Sequence, residues 1–219
     1  MRKTVFAIHT SLALVSPLGK LFAEILPEVR VVNVIDDSLL ADVRAAGCVT
    51  SSVTRRIIGY GVLAQSAGAD AIFNCCSSVG DAADMLGRTV DIPVVKIDGR
   101  MAEIAVLRGP RVGVIATLPT TLEPTVRLIE NQAALLGKSV EVRRYLVEGA
   151  FDILMSGNGQ KHDDMVLADI ERASAENDVV VLAQGSMARL ATALDGNSAV
   201  PVLSSPRLGV EALREVLRG

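Results

Sequence analysis

Along the chain, short runs rich in aliphatic residues alternate with longer stretches in which apolar side chains recur every three or four positions. The runs are VFAI (5–8), VRVVNVI (29–35), DAIFN (70–74) and IPVVKID (92–98), then RVGVIA (111–116), VEVRRYLV (140–147), DVVVLA (178–183) and VPVL (200–203). Runs this short and this continuously apolar predict strands buried on both faces, as in parallel sheets. The stretches between them read as helices. Residues 16–26 place Leu18, Leu21, Phe22, Ile25 and Leu26 on one side, and residues 50–67 open on Ser and Thr and close at Gly68. Residues 125–136 end at Gly137, residues 162–175 follow the loop SGNGQK, residues 97–108 are helical in pattern, and residues 209–217 form a last helix. Strands alternating with helices predict βαβ units.

The pattern repeats. Each of the last four runs follows its counterpart by roughly 108 residues, the mark of an internal duplication. Pro93 matched to Pro201 sets the register, which pairs Cys76 with Gln184, and a shift of one would pair Cys75 with Gln184 instead. The expected fold class is α/β, with two pseudo-symmetric lobes, each a mostly parallel four-stranded sheet flanked by helices. Residues 1–98 with 206–219 would form the N-lobe and residues 99–205 the C-lobe, the last helix returning to cover the first. Ligands of open α/β sheets bind beyond the carboxyl ends of the strands, so a cleft shared by the two lobes is the expected active site.

Composition narrows the partners. Half of the 219 residues are hydrophobic, yet there are four Phe, two Tyr and no Trp. The core must be aliphatic, and stacking platforms for bases are lacking. A net charge of −3 without a basic run leaves no phosphate-tracking patch, so nucleic acid is not an expected partner. No apolar run approaches the ~20 residues of a membrane span, so no membrane partner is expected either. The start MRKTVFAIHTSLALVSPLGK resembles an export signal, but His9, Thr10 and Ser11 interrupt its apolar stretch, and residues 4–8 read as the first strand. Three cysteines, two of them adjacent, do not make a disulfide framework, and a cytoplasmic location with reduced thiols is expected. The Ala, Leu and Val-rich helices could furnish a face for a homo-oligomer or bury it within the chain.

Candidate chemistry collects at the predicted strand ends. These carry His9, Thr10 and Ser11; Asp36 and Asp37; Asn74, Cys75, Cys76, Ser77 and Ser78; Thr117, Thr120 and Thr121; and Gln184, Gly185 and Ser186. Hydroxyls and glycines before helices present donors that favour a compact anion such as a carboxylate, although Ser and Thr also cap helices everywhere. A thiol at a helix start is inclined to ionise, and thiolate is both nucleophile and base. Strand alternation turns Cys75 to the core and Cys76 to the site, while two small buried residues remain the plain alternative. Cys and His spacings fit no metal site. Adjacent cysteines seldom form a disulfide. Cys48 reads as a packing or loop residue and His162 as a surface capping residue. One of Asp36 and Asp37 reads as an N-cap, the other as a partner for His9 or a substrate ammonium. A Cys76–His9–Asp37 triad is conceivable from the parts.

The chain resembles the aspartate/glutamate racemase superfamily, which includes hydantoin racemases, maleate isomerases and arylmalonate decarboxylases. The likeness rests on the NxCSS turn at 74–78, the ATxxT turn at 116–120 and the turn at 182–187. It implies a cofactor-independent, metal-free enzyme acting on a small carboxylate or amino-acid-derived substrate. Cys76 would be the acid/base or nucleophile. Thr10, Ser11, Asp37, Asn74, Ser77, Ser78, Thr117, Thr120, Thr121, Gly185 and Ser186 would bind substrate. Two-cysteine members carry their second thiol where this chain reads LAQGSM, so Gln184 stands in its place. An amide takes up no proton near neutral pH. Either His9 serves the opposite face, or one thiol suffices, as in a decarboxylase or lyase, or the chain is a carboxylate binder without turnover.

Overall fold

The computed structural model describes residues 2–219. The chain divides into two compact units, Met1–Ile97 with Pro206–Gly219, and Asp98–Ser205. The first unit runs β1 (Thr4–His9), α1 (Val15–Ile25), β2 (Arg30–Ile35), α2 (Ser38–Ala46), α3 (Ser51–Ser66), β3 (Ala71–Asn74), α4 (Gly80–Gly87) and β4 (Val94–Lys96). Its four strands are all parallel and lie in the order β2-β1-β3-β4, with Val5 opposite both Val31 and Ala71.

Each element follows from its residues. β3 sits between β1 and β4 and is buried at all four positions, which is why AIFN carries no polar alternation. Val5, Ala7, Phe73 and Cys75 face one side of the sheet, where they meet Leu18 and Phe22 of α1, and Phe22 stands edge-on to Phe73 at 5.7 Å. Ile8 and Ile72 face the other side and pack with Leu39, Val53, Ile57 and Leu86 of α2, α3 and α4. Thr50 begins α3 by accepting the Val53 amide at 3.2 Å, and Gly47 ends α2 at φ 70°, a left-handed turn suited to glycine.

The second unit repeats the plan with α5 (Gly99–Arg108), β5 (Arg111–Ala116), α6 (Pro119–Leu135), β6 (Glu141–Leu146), α7 (Ala150–Met155), α8 (Gly159–Glu176), β7 (Val179–Leu182), α9 (Ala188–Leu194) and β8 (Val202–Ser204). Its strands are again all parallel, in the equivalent order β6-β5-β7-β8. The last helix, α10 (Ser205–Arg218), puts Val210, Leu213 and Leu217 into the core of the first unit beside α1.

Two expectations need correction. α6 starts at Pro119, six residues before the expected start, because a proline at the first helical position supplies the right φ without sacrificing a needed N–H. His162 is not a surface residue. It lies within α8 and is fully buried, sharing one face with Val166, Ile170 and Ala173 at helical spacing.

Candidate active site

In the first unit the chain passes from β1 to β2 on one side and reaches β3 on the other. The loops after β1 and β3 therefore leave in opposite directions, and the crevice between them is the place where open α/β sheets take ligands. Thr10 and Ser11 follow β1, and residues 75–78 follow β3. Thr10, Ser77 and Ser78 are buried and Ser11 is half-buried. Asp37 stands apart, exposed beyond β2.

The second turn is tightly tied. The Cys75 amide continues the ladder by donating to the Ile8 carbonyl at 3.0 Å, and the Ile97 amide donates to the Asn74 carbonyl at 3.0 Å. Cys76 is extended (φ −141°, ψ 122°) and opens a 3-10 turn over Ser77–Val79 that runs into α4. Asn74 is 1% exposed, and its Nδ2 donates to the Cys76 carbonyl at 2.9 Å.

The two thiols part as alternation requires. Cys75 is buried beside Phe73, its Sγ 3.5 Å from the Phe73 carbonyl and 3.8 Å from His9 Nε2. Burial pushes this thiol well above its usual range, and the adjacent Cys76 pushes it further, so Cys75 stays S–H. Cys76 is half-buried on the other side of the strand, against the α2–α4 cluster. Cys48 is exposed between α2 and α3.

His9 lies on the Cys75 side and is 1% exposed. Its Nε2 is 2.9 Å from Asn33 Oδ1. A carbonyl oxygen only accepts, so Nε2 carries the proton, and Nδ1 is left as a buried acceptor with no partner. Burial holds the imidazole below its ordinary 6.5 against the opposing Asn33 bond, which keeps the ring neutral. The expected pairing of His9 with an aspartate is replaced by this bond to Asn33.

The capping bond expected of one aspartate comes from Asp36, whose Oδ1 accepts from the Ser38 amide at 3.1 Å and its hydroxyl at 2.6 Å. Oδ2 accepts from Tyr60 at 2.7 Å and from Arg56 at 3.1 Å. Burial alone would raise this carboxyl, but the Ser38 and Tyr60 bonds and the Arg56 charge outweigh it and hold it low. Asp37 occupies the N-cap position of α2 without a side-chain capping bond. Sequence reasoning missed Lys96, which pairs with Asn74 across the sheet and holds Asp84 at 2.8 Å. A lysine closing an apolar strand run was the available signal.

The second unit builds the same crevice from different side chains. Gln184 (φ −121°, ψ 134°) opens the 3-10 turn Gly185–Met187, the place that Cys76 takes in the first unit. Its Oε1 accepts from the Thr117 amide at 2.6 Å, and its Nε2 lies 2.9 Å from Thr117 Oγ1. Thr120 and Thr121 sit in the first turn of α6, Thr120 with a buried, unpartnered hydroxyl. Gly185 and Ser186 are half-buried, and the Ser186 carbonyl accepts from Arg189 at 2.9 Å. Arg189 in turn holds Asp163, which lies 2.8 Å from His162 Nδ1, a support that no short-range pattern announced. Among the described residues, no group of three or more His, Cys, Asp or Glu side chains is placed to hold a metal ion, and no helix is long and apolar enough to cross a membrane.

A sequence model of the family described as Asp/Glu/Hydantoin racemase matches residues 5–213. No curated protein matches the chain by sequence. Among solved structures, an allantoin racemase from Klebsiella pneumoniae is 17% identical with a TM-score of 0.71, over 99% of this chain and 88% of that one. A glutamate racemase from Francisella tularensis, in complex with D-glutamate, is 13% identical with a TM-score of 0.71, over 99% and 81%. A mutant of arylmalonate decarboxylase in a sulfate-associated form is 14% identical with a TM-score of 0.59, over 99% and 94%. At these identities the likeness establishes the fold.

Proposed function

Because the chain belongs to the Asp/Glu/hydantoin racemase family, we propose that it is an isomerase-type enzyme that moves a proton at the carbon beside a carboxylate, through the Cys76 thiol and without a cofactor. The observation that carries this reading is the division of labour between adjacent cysteines. Cys75 is sealed in the core as a thiol, whereas Cys76 opens the turn at the sheet's switch point, ahead of a helix start that favours negative charge.

In this reading the Cys76 thiolate takes the proton from the substrate carbon, becoming S–H, and the electron pair left behind spreads into the carboxylate as an enolate. Thr10, Ser11, Asn74, Ser77 and Ser78 hold the substrate at the first-unit crevice. Donors aimed at a developing oxyanion typically lower a barrier by a few kcal/mol each. The substrate is a small carboxylate or amino-acid derivative, of the kind named for the D-glutamate-bound relative. Inversion needs an acid on the opposite face. His9 is the titratable group available for it, and it must give up its bond to Asn33 to act.

A second reading, a one-thiol decarboxylase or lyase, is favoured by Gln184. That amide is engaged with Thr117 and takes up no proton near neutral pH, so Gln184 supplies no second acid or base. Small carboxylic acids incubated in deuterium oxide separate the readings. Label entering the substrate carbon without carbon dioxide release supports the isomerase, and carbon dioxide release supports the lyase. Cys76→Ser should lower either activity by about a thousandfold, in the range of lost acid–base groups. Full activity in that variant ends the thiol proposal, and binding without turnover of any acid points to a binder.

A further inference from the structure

Lys96 sits where packing alone would place an apolar side chain. It is the parallel partner of Asn74, as Val94 is of Ile72, so it stands on the side of the first-unit sheet that Cys76 shares with the α2–α4 cluster. Asn74 in turn donates to the Cys76 carbonyl at 2.9 Å. The lysine stem runs past the start of α4, where a Cβ on Gly80 would touch its Cδ at 4.0 Å. Its Nζ then meets both carboxylate oxygens of Asp84, one helical turn further on, at 2.7 and 2.8 Å. Only 17% of the lysine side chain is exposed, against 50% of its partner's.

On stability grounds this is a poor place for an ammonium. A helix start already carries partial positive charge, and a largely buried cation loses hydration. Well-packed apolar side chains in place of a buried ion pair are often neutral or better for stability. What the lysine does supply is charge behind the turn that Cys76 opens. Among the described residues of α2, α3, α4 and β4, which pack around that turn, the ionisable side chains that are not exposed are Arg56, Tyr60 and Lys96. Arg56 lies between the carboxylates of Asp36 and Asp42, and Tyr60 donates to Asp36 as well. Cys75 and His9 lie across the sheet, the first held as S–H and the second neutral. Lys96 is therefore a cation whose charge is met by one carboxylate, and that carboxylate is half in solvent, where it is screened. We propose that Lys96 is a positioning residue for Cys76: its ammonium favours the thiolate, and Asp84 both anchors that ammonium and weakens its pull. The inference rests on the reading of Cys76 as the reactive thiol. A substrate carboxylate entering the same crevice sets a second negative charge near the thiolate, so the cation matters with substrate bound as well as without.

The test reads the ionisation of Cys76 in the intact chain, through its rate of alkylation by iodoacetamide against pH. Mass spectrometry follows each peptide, with exposed Cys48 as the internal reference whose midpoint should not move. The pH at which the rate is half its plateau reports the thiolate, and the plateau reports access. Lys96→Met removes the cation and leaves Asp84, so the Cys76 midpoint should rise by about half a pH unit. Asp84→Asn removes the opposing anion and leaves Lys96, so the midpoint should fall by a similar amount. A shift of about half a unit is roughly a threefold change in thiolate fraction below the midpoint, the scale of one partly screened charge. Lys96→Arg keeps the charge and should keep the midpoint. A mere strut between β4 and α4 would be broken by the methionine and asparagine substitutions alike, and could only move both midpoints the same way. Midpoints that stay put, or that move together, overturn the proposal. If Lys96→Met does not fold, Asp84→Asn decides alone, and a midpoint at or above the wild-type value overturns the proposal. The Cys76 reading fails by a different measurement, activity retained by Cys76→Ser.

Discussion

Gly209 offers a stringent check on how the last helix is seated. It lies inside α10, where a Cβ would stand 2.5 Å from the Ile97 carbonyl oxygen, 2.9 Å from its Cα and 3.0 Å from its carbonyl carbon. All three are backbone atoms of a buried residue, so nothing can rotate away. In an unobstructed helix, Gly→Ala gains about 1 kcal/mol. Here relief requires α10 to move by several tenths of an ångström, prising Val210 and Leu213 from the core. Overpacking of this kind costs about 1–3 kcal/mol and more when backbone must shift. We expect Gly209→Ala to destabilise by about 2–3 kcal/mol. Two substitutions in α3 bracket it. Gly59 has nothing within 4 Å of its Cβ position, so Gly59→Ala should stabilise by about 1 kcal/mol. A Cβ at Gly61 would come within 2.3 Å of Leu86, but of a side-chain methyl at the end of rotatable bonds, so Gly61→Ala should fall between. Guanidinium unfolding midpoints order the three. Because the Ile97 amide also holds the Asn74 carbonyl, Gly209→Ala should further alter the alkylation rate of Cys76. A Gly209→Ala protein as stable as Gly59→Ala would refute the packing argument.

Further predictions concern titration and thiol access. His9 has a folded-state pKa below 6.5, so as pH falls through 6.5 the unfolded chain takes up a proton that the folded chain refuses. Stability should therefore decline from about pH 6.5 down to the lowered folded value and level off below it. Urea midpoints across this window should slope in the wild type and flatten in His9→Gln, and an unchanged slope in the variant would assign the effect elsewhere. Iodoacetamide followed by mass spectrometry should label exposed Cys48 and half-buried Cys76 in the native protein, and Cys75 only on unfolding. Native labelling of Cys75 at the rate of Cys76 would contradict its place in the core.

The division between legible and illegible features follows sequence distance. β3 and β7 were readable because complete burial on both faces favours runs without polar alternation, AIF before Asn74 in β3 and VVVL in β7. The opposite facing of Cys75 and Cys76 was readable because strand alternation is local. Edge strands were blurred. IPVVKID contributes Val94–Lys96 to β4, since Ile92 packs outside the ladder and Ile97 adds one last amide bond, to the Asn74 carbonyl. The start of α6 was hidden because Pro119 and Pro124 look like breakers until one is seen at the first helical position. Partner choice was out of reach. His9 finds Asn33 and Gln184 finds Thr117 across parallel pairs that only the folded sheet brings together.

Cys76 and Gln184 have nearly the same extended backbone, φ −141° and ψ 122° against φ −121° and ψ 134°, each opening a 3-10 turn after a fully buried strand. Neither side chain caps its turn. The backbone is fixed instead by ladder bonds, Cys75 to Ile8 and Ala183 to Ile115, both at or near 3.0 Å. The turn therefore imposes no demand on the side chain at its first residue, and sulfur or amide can stand there at little cost to the fold. What differs is reach into the crevice. The amide folds back onto the Thr117 N–H, whereas a thiol has no second arm with which to do so. Two turns of similar backbone thus differ in kind, one opening on a thiol and the other on an amide already hydrogen-bonded to its neighbour, and the asymmetry comes from side chains that the fold itself leaves open.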